Sequence, residues 1–104
     1  MAKLLDVSVV VPLYNEQESL GELVAWIDRV ATENNLSYEV IMVDDGSSDG
    51  SWAEVERLKC EYPAIKALRF ARNYGKSAAL YCGFAEAEGE VVITMDADLQ
   101  DSPD

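Results

Sequence analysis

A chain of 104 residues falls below the roughly 150 residues of a typical domain, which excludes a second complete domain. Twenty acidic against eight basic side chains leave a net charge of −12, which repels a phosphate backbone and sets nucleic-acid binding aside. A hydrophobic content of 49% with 27% charged residues is that of a folding globular sequence, too apolar for a disordered acidic tail.

No apolar run approaches the ~18 residues of a membrane span. Asp6 cuts the apolar start short, so Met1–Asp6 does not read as a signal peptide. Cys60 and Cys82 form no CxxC or Cys/His arrangement, and there is no histidine. Zinc sites and histidine-dependent triads are therefore excluded. Both cysteines read as reduced structural thiols of a cytoplasmic protein.

Val7 to Pro12 is a β-branched run that reads as a buried strand ending at the proline. Asn15, with Glu18 three residues later, matches a capping box for a helix whose Leu20, Leu23, Val24, Ile27, Val30 and Ala31 recur at helical spacing down to Asn34-Asn35. A second strand is predicted from Tyr38 to Val43, breaking into the turn formers Asp44 to Gly50. Asp49 or Ser48 is placed to cap the next helix, which carries Trp52, Val55 and Leu58 and ends before Pro63. Ile65 to Phe70 is a weaker third strand. The Ala-rich helix from Lys76 to Ala87, ending at Gly89, has side chains small enough to lie close to a sheet. Glu90 to Met95 is the fourth strand. Trp26 and Trp52 read as packing residues.

Strands alternating with helices in this way demand a parallel sheet with right-handed crossovers. The expected fold class is α/β, a Rossmann-like parallel sheet of about four strands flanked by helices. There is no repeat or linker, and the chain reads as an N-terminal fragment.

Ligands of open parallel sheets bind beyond the carboxyl ends of the strands. Each strand end here carries a polar cluster: Tyr14-Asn15-Glu16, Asp44-Asp45, Arg72-Asn73 with Lys76, and Asp96 with Asp98. Asp96-Ala97-Asp98 is the sharpest. Residues two apart on extended backbone project to one side, so the two carboxylates can share a divalent cation such as Mg²⁺ or Mn²⁺. The bland alternative is a solvated acidic loop. Asp44 and Asp45 can accept hydrogen bonds from a base or ribose, or can simply build a turn and helix cap. No G-x-G-x-x-G is present, which disfavours a dinucleotide, and Phe70 stands where a phosphate-binding P-loop needs glycine. Lys66, Arg69, Arg72 and Lys76 gather half of the positive charge in eleven residues, which suits a diphosphate or merely a solvated helix start. Tyr14 offers a ring for stacking on a base, or a core contact.

Taken together, Val9 to Glu16, Val43 to Gly50, Arg72 to Lys76 and Met95 to Asp101 resemble the family 2 glycosyltransferases of the GT-A fold, polyprenyl-phosphate sugar synthases in particular. The resemblance implies a donor-contacting set of Pro12, Tyr14, Asn15, Glu16, Asp44, Asp45, Arg72, Lys76, Asp96 and Ala97, with Asn73 and Gly75 in the same donor-side loop. It implies metal ligands Asp96, Asp98 and Gln100. Ser102-Pro103 stands where the family often has Pro-Pro. The implied reaction is inverting sugar transfer from a UDP- or GDP-sugar, through a divalent metal, to a lipid-phosphate acceptor such as a polyprenyl phosphate. Family members continue with an acceptor half and a catalytic base, so residues 1–104 are expected to be the donor-binding part of one domain, inactive alone. Self-association through exposed apolar surface is a further expectation, as is attachment of the intact parent to the cytoplasmic face of a membrane. The rival readings are a non-catalytic nucleotide- or metal-binding module, a receiver-like phosphotransfer domain, and a structural or interaction domain.

Overall fold

The computed structural model describes residues 5–97. In chain order they form β1 (Leu5–Leu13), α1 (Leu20–Glu33), β2 (Tyr38–Asp44), α2 (Ser51–Glu61), β3 (Ile65–Arg69), α3 (Lys76–Glu86) and β4 (Gly89–Thr94). The strands make one parallel sheet in the order β3-β2-β1-β4. This is the α/β architecture expected.

The continuous apolar runs of β1 and β2 follow from burial on both faces. Val9, Val11 and Leu13 of β1, with Val40 and Met42 of β2, pack with Leu20, Leu23, Val24 and Ile27 of α1 and Val55 and Leu58 of α2. Val10, Ile41 and Val43 point the other way, onto Ala79 of α3. Small residues on α3 allow this approach: a Cβ on Gly83 would overlap Val10 Cγ1. β4 is the contrast. Its Val91, Val92 and Ile93 are exposed, and an apolar groove runs between it and α1. Trp26 lies in that groove, 44% exposed, so it is not the packing residue expected, whereas Trp52 does pack against the core.

Element boundaries differ from expectation for identifiable reasons. β1 runs through Pro12 instead of ending there. The Met95 N–H donates to Val10 O and the Asp45 N–H to Leu13 O. Alternate residues of a parallel strand face the same neighbour, so the nitrogen of Pro12 points to the β4 side, past the last ladder pair Val10↔Thr94. No sheet hydrogen bond is lost. α1 begins at Leu20, with Ser19 in the capping position and no side-chain cap; Asn15 is engaged elsewhere. Its C-terminus behaves as expected, since Asn35 takes a left-handed conformation (φ 56°) and the Leu36 N–H closes on Ala31 O at 2.9 Å. α2 stops at Glu61 with Tyr62 extended before Pro63. α3 ends at Glu86, and Gly89 opens β4 instead of ending the helix. The Glu88 and Gly89 N–H groups donate to Glu39 and Ser8, which pulls this turn into the sheet. Among the described residues, no helix is long and apolar enough to cross a membrane.

Candidate functional site

β1, β2 and β3 step in one direction across the sheet, whereas β4 returns to the other side of β1. The connection leaving β1 runs towards β2 and away from β4, which leaves a crevice beyond the adjacent carboxyl ends of β1 and β4, where ligands of open α/β sheets bind. A cleft of about 230 Å³ lies there, lined by Pro12, Leu13, Tyr14, Glu16, Asp45, Lys76, Asp96 and Ala97.

Two loops are stitched together on one side of this cleft. Asn15 adopts φ 53°, which asparagine tolerates better than most residues. Its Oδ1 accepts the Ser48 N–H at 2.8 Å and the Asp49 N–H at 3.2 Å, while its own N–H donates to Ser47 Oγ at 2.8 Å. The Glu16 N–H donates to Ser51 Oγ at 3.0 Å, and the Gly50 N–H to Gln17 Oε1 at 3.0 Å. Asp49 accepts the Ser51 N–H at 2.8 Å just ahead of α2, but the capping position itself is Gly50 with no side-chain cap, so neither Asp49 nor Ser48 is the helix cap expected. The Ser51 hydroxyl and N–H hold the Asp49 carboxyl below its usual range. The turn formers after β2 thus fix the loop that carries Tyr14 and Glu16.

Neighbouring Asp44 and Asp45 do different work. Asp44 is fully buried outside the cleft lining. Its Oδ1 accepts the Ser47 N–H at 2.8 Å, and its Oδ2 has no hydrogen-bond partner among the described residues. Asp45 lines the cleft and accepts two backbone donors, the Tyr74 N–H at 2.7 Å and the Gly75 N–H at 3.0 Å. Asn73 Nδ2 adds a bond to Asp45 O at 3.2 Å. Gly46 permits this contact: its φ is +79°, and a Cβ there would overlap the backbone of Arg72 and Asn73. Gly75, at φ +107°, then turns the chain into α3. Lys76, the first residue of α3, reaches across the cleft to Asp96 beyond the end of β4, Nζ to Oδ1 at 2.7 Å.

Of the expected site residues, the fold therefore gathers Pro12, Tyr14, Glu16, Asp45, Lys76, Asp96 and Ala97 around one cleft. It places Asn15 in the loop stitch, Asp44 in the interior, and Arg72 over the Tyr74 ring at 5.1 Å. Asp98 and Gln100 lie outside the described residues. Leu13, which the sequence reading missed, lines the cleft because β1 continues past Pro12. The cationic cluster disperses: Lys66 pairs with Glu39, Arg69 lies over Trp52, and only Lys76 of the four lines the cleft.

The model of the glycosyl transferase family 2 matches residues 8–104. The chain belongs to this family. Within it, the dolichol-phosphate mannosyltransferase of Pyrococcus furiosus is 43% identical over 100 residues, covering 96% of this chain. The chain spans only 28% of that relative's length. Among solved structures, the mannosyltransferase PcManGT from Pyrobaculum calidifontis, in complex with GDP-Man and Mn²⁺, superposes with a TM-score of 0.77. Its identity is 31%, over 92% of this chain and 30% of that one. S. aureus TarS in complex with UDP-GlcNAc gives a TM-score of 0.73 at 30% identity, over 89% of this chain and 26% of that one. The Rossmann-like sheet is thus shared with solved structures that hold nucleotide-sugars.

The donor set for a cation can be judged from Asp96. Its carboxylate supplies hard oxygens at the rim of the cleft and already attracts a cation, the Lys76 ammonium. Among the described residues no cluster of three potential side-chain ligands exists. A cation held at Asp96 would draw further oxygens from ligand or water, as Mg²⁺ and Mn²⁺ commonly do.

Proposed function

We propose that this chain is the donor-binding part of a single GT-A glycosyltransferase domain, and that it holds a UDP- or GDP-sugar in the cleft between the ends of β1 and β4. The observation that carries the reading is the meeting of Tyr14, Asp45, Lys76 and Asp96 around one cleft at the topological switch point, in a chain of this family. Tyr14 and Pro12 offer apolar surface to the base, and Asp45 retains lone pairs for base or ribose donors beyond the two N–H groups it already accepts. Lys76 is placed to meet diphosphate oxygens.

Asp96 fits as one ligand of a divalent cation, with Asp98 and Gln100 proposed beside it. Such a cation, Mg²⁺ or Mn²⁺, acts as a Lewis acid on the charge that builds on the departing nucleoside diphosphate. Asp96 would hold the cation at the rim of the cleft, and Leu13 and Ala97 form part of the cleft wall beside it. No described residue is assigned as general base; that group is proposed to lie beyond Asp104, as is the surface for a lipid-phosphate acceptor. The dolichol-phosphate relative supports this acceptor class. We place the protein in the cytoplasm, the intact parent attached to a membrane face. The uncovered apolar face beside β4 supports self-association of the isolated chain, which a clean monomer in sedimentation at high concentration would refute.

Calorimetric titration with UDP, GDP and their sugars, with and without Mn²⁺, tests the reading. Micromolar to millimolar binding that requires the metal is expected. Nucleotide affinity indifferent to metal would overturn it.

A further inference from the structure

We propose that Lys76 is a built-in, exchangeable counter-ion for the Asp96 carboxylate, so that cation and nucleotide bind cooperatively. This rests on the donor-binding reading above. The Lys76–Asp96 pair is short, at 2.7 Å, but its partners are 61% and 63% exposed. Exposed pairs of this kind contribute little to stability and open readily. The backbone beneath it is held: the Tyr74 and Gly75 N–H groups are both fixed on Asp45, so the chain stays in place while the four-carbon side chain swings. Lys76 is also the only cationic side chain lining the cleft among the described residues; Lys66, Arg69 and Arg72 are turned to Glu39, Trp52 and Tyr74.

An ammonium and a divalent cation cannot share one carboxylate oxygen without strong repulsion. Lys76 holds Oδ1 of Asp96, so a metal arriving alone either takes the other oxygen against the nearby ammonium charge or turns Lys76 out into solvent, and a diphosphate arriving alone meets the carboxylates of Glu16, Asp45 and Asp96. Arriving together, each removes the other's obstacle. The metal takes Asp96, and the diphosphate offers the released ammonium a new anion. The coupling is reciprocal: nucleotide tightens metal by the same factor as metal tightens nucleotide.

Electron paramagnetic resonance of free Mn²⁺, with and without GDP or UDP, measures both affinities on the full-length protein without reference to turnover. In Lys76→Gln, Mn²⁺ alone binds about three- to fivefold tighter than in wild type, the range an exposed pair allows, and the nucleotide-induced gain shrinks. Lys76→Arg keeps the pair and behaves like wild type. Arg69→Gln, with the same change in net charge, leaves Mn²⁺ binding unchanged. Lys76→Gln without a tighter metal site, or Arg69→Gln with an equal gain, overturns the proposal. If wild type shows no metal-dependent nucleotide binding, the donor reading itself fails; if that dependence is present and only the Lys76→Gln effect is missing, the counter-ion role alone fails.

Discussion

The two ends of the parallel sheet each carry a lysine–carboxylate pair at 2.7 Å, Glu39–Lys66 at one end and Asp96–Lys76 at the other. Their surroundings differ completely. The Glu39 side chain is 4% exposed. Its Oε2 accepts the Ser8 hydroxyl at 2.6 Å and the Glu88 N–H at 2.7 Å, and Ser8 Oγ in turn accepts the Gly89 N–H at 2.7 Å. That end is closed and tied to the start of β4. The Asp96 pair stands in the open beside a cleft, with no such network around it among the described residues. Equal distance thus conceals opposite roles. A buried, multiply bonded carboxylate fixes the fold, whereas an exposed one remains available to a ligand.

The largest effect expected from this contrast is at the closed end. Glu39→Ala leaves the Ser8 hydroxyl and the Glu88 N–H without their acceptor and should lower stability by about 2–4 kcal/mol in urea unfolding. A loss below about 0.5 kcal/mol would erase the distinction between the two pairs. Next, Gly46→Ala forces a Cβ into the Arg72–Asn73 backbone at a positive φ and should cost about 1–3 kcal/mol. It should also weaken donor binding, because the loop that delivers Lys76 moves. Unchanged affinity in a folded Gly46→Ala protein would mean that the two loops act independently.

Acid titration sharpens the comparison further. Burial pushes the Glu39 carboxyl up, but the Lys66 ammonium, the Ser8 hydroxyl and the Glu88 N–H outweigh it and hold it below its ordinary range. A carboxyl lowered on folding contributes stability above its unfolded value, near ~4.3, and that contribution is lost as pH falls through the folded value. The urea midpoint should therefore decline below about pH 4.5, with a shallower decline in Glu39→Gln. Equal acid slopes in the two proteins would assign the decline to other carboxyls. The smallest expected change in stability is at the open end. Asp96→Asn should shift unfolding by less than about 0.5 kcal/mol while weakening Mn²⁺-dependent nucleotide binding at least about tenfold, as loss of a charged metal ligand implies. A large drop in apo stability would make Asp96 structural.

Much of this was legible along the chain because it depends on local pattern. Apolar runs, helical spacing and the Ala-rich segment after Gly75 located each of the described helices and strands, Pro63 and Asn34-Asn35 marked helix ends, and the polar strand tips marked the functional rim. The misplaced boundaries were those decided by distant partners. Asn15 has the composition of a helix cap, but the Ser48 and Asp49 N–H groups of another loop claim its side chain. Pro12 has the composition of a strand terminator, but its nitrogen faces the side where the β4 ladder has already ended.

What the sequence by itself determined was the α/β class, the alternation of elements and the family motifs, since short-range periodicity and turn chemistry suffice for these. Only the tertiary structure decided that β4 returns beside β1, and hence that Tyr14, Asp45, Lys76 and Asp96 share one cleft. It alone separated Asp44 from Asp45, and it sent Lys66 and Lys76 to opposite ends of the sheet. The reason is geometric: successive side chains of an extended backbone face opposite ways, and register between distant strands chooses which of them meets the ligand.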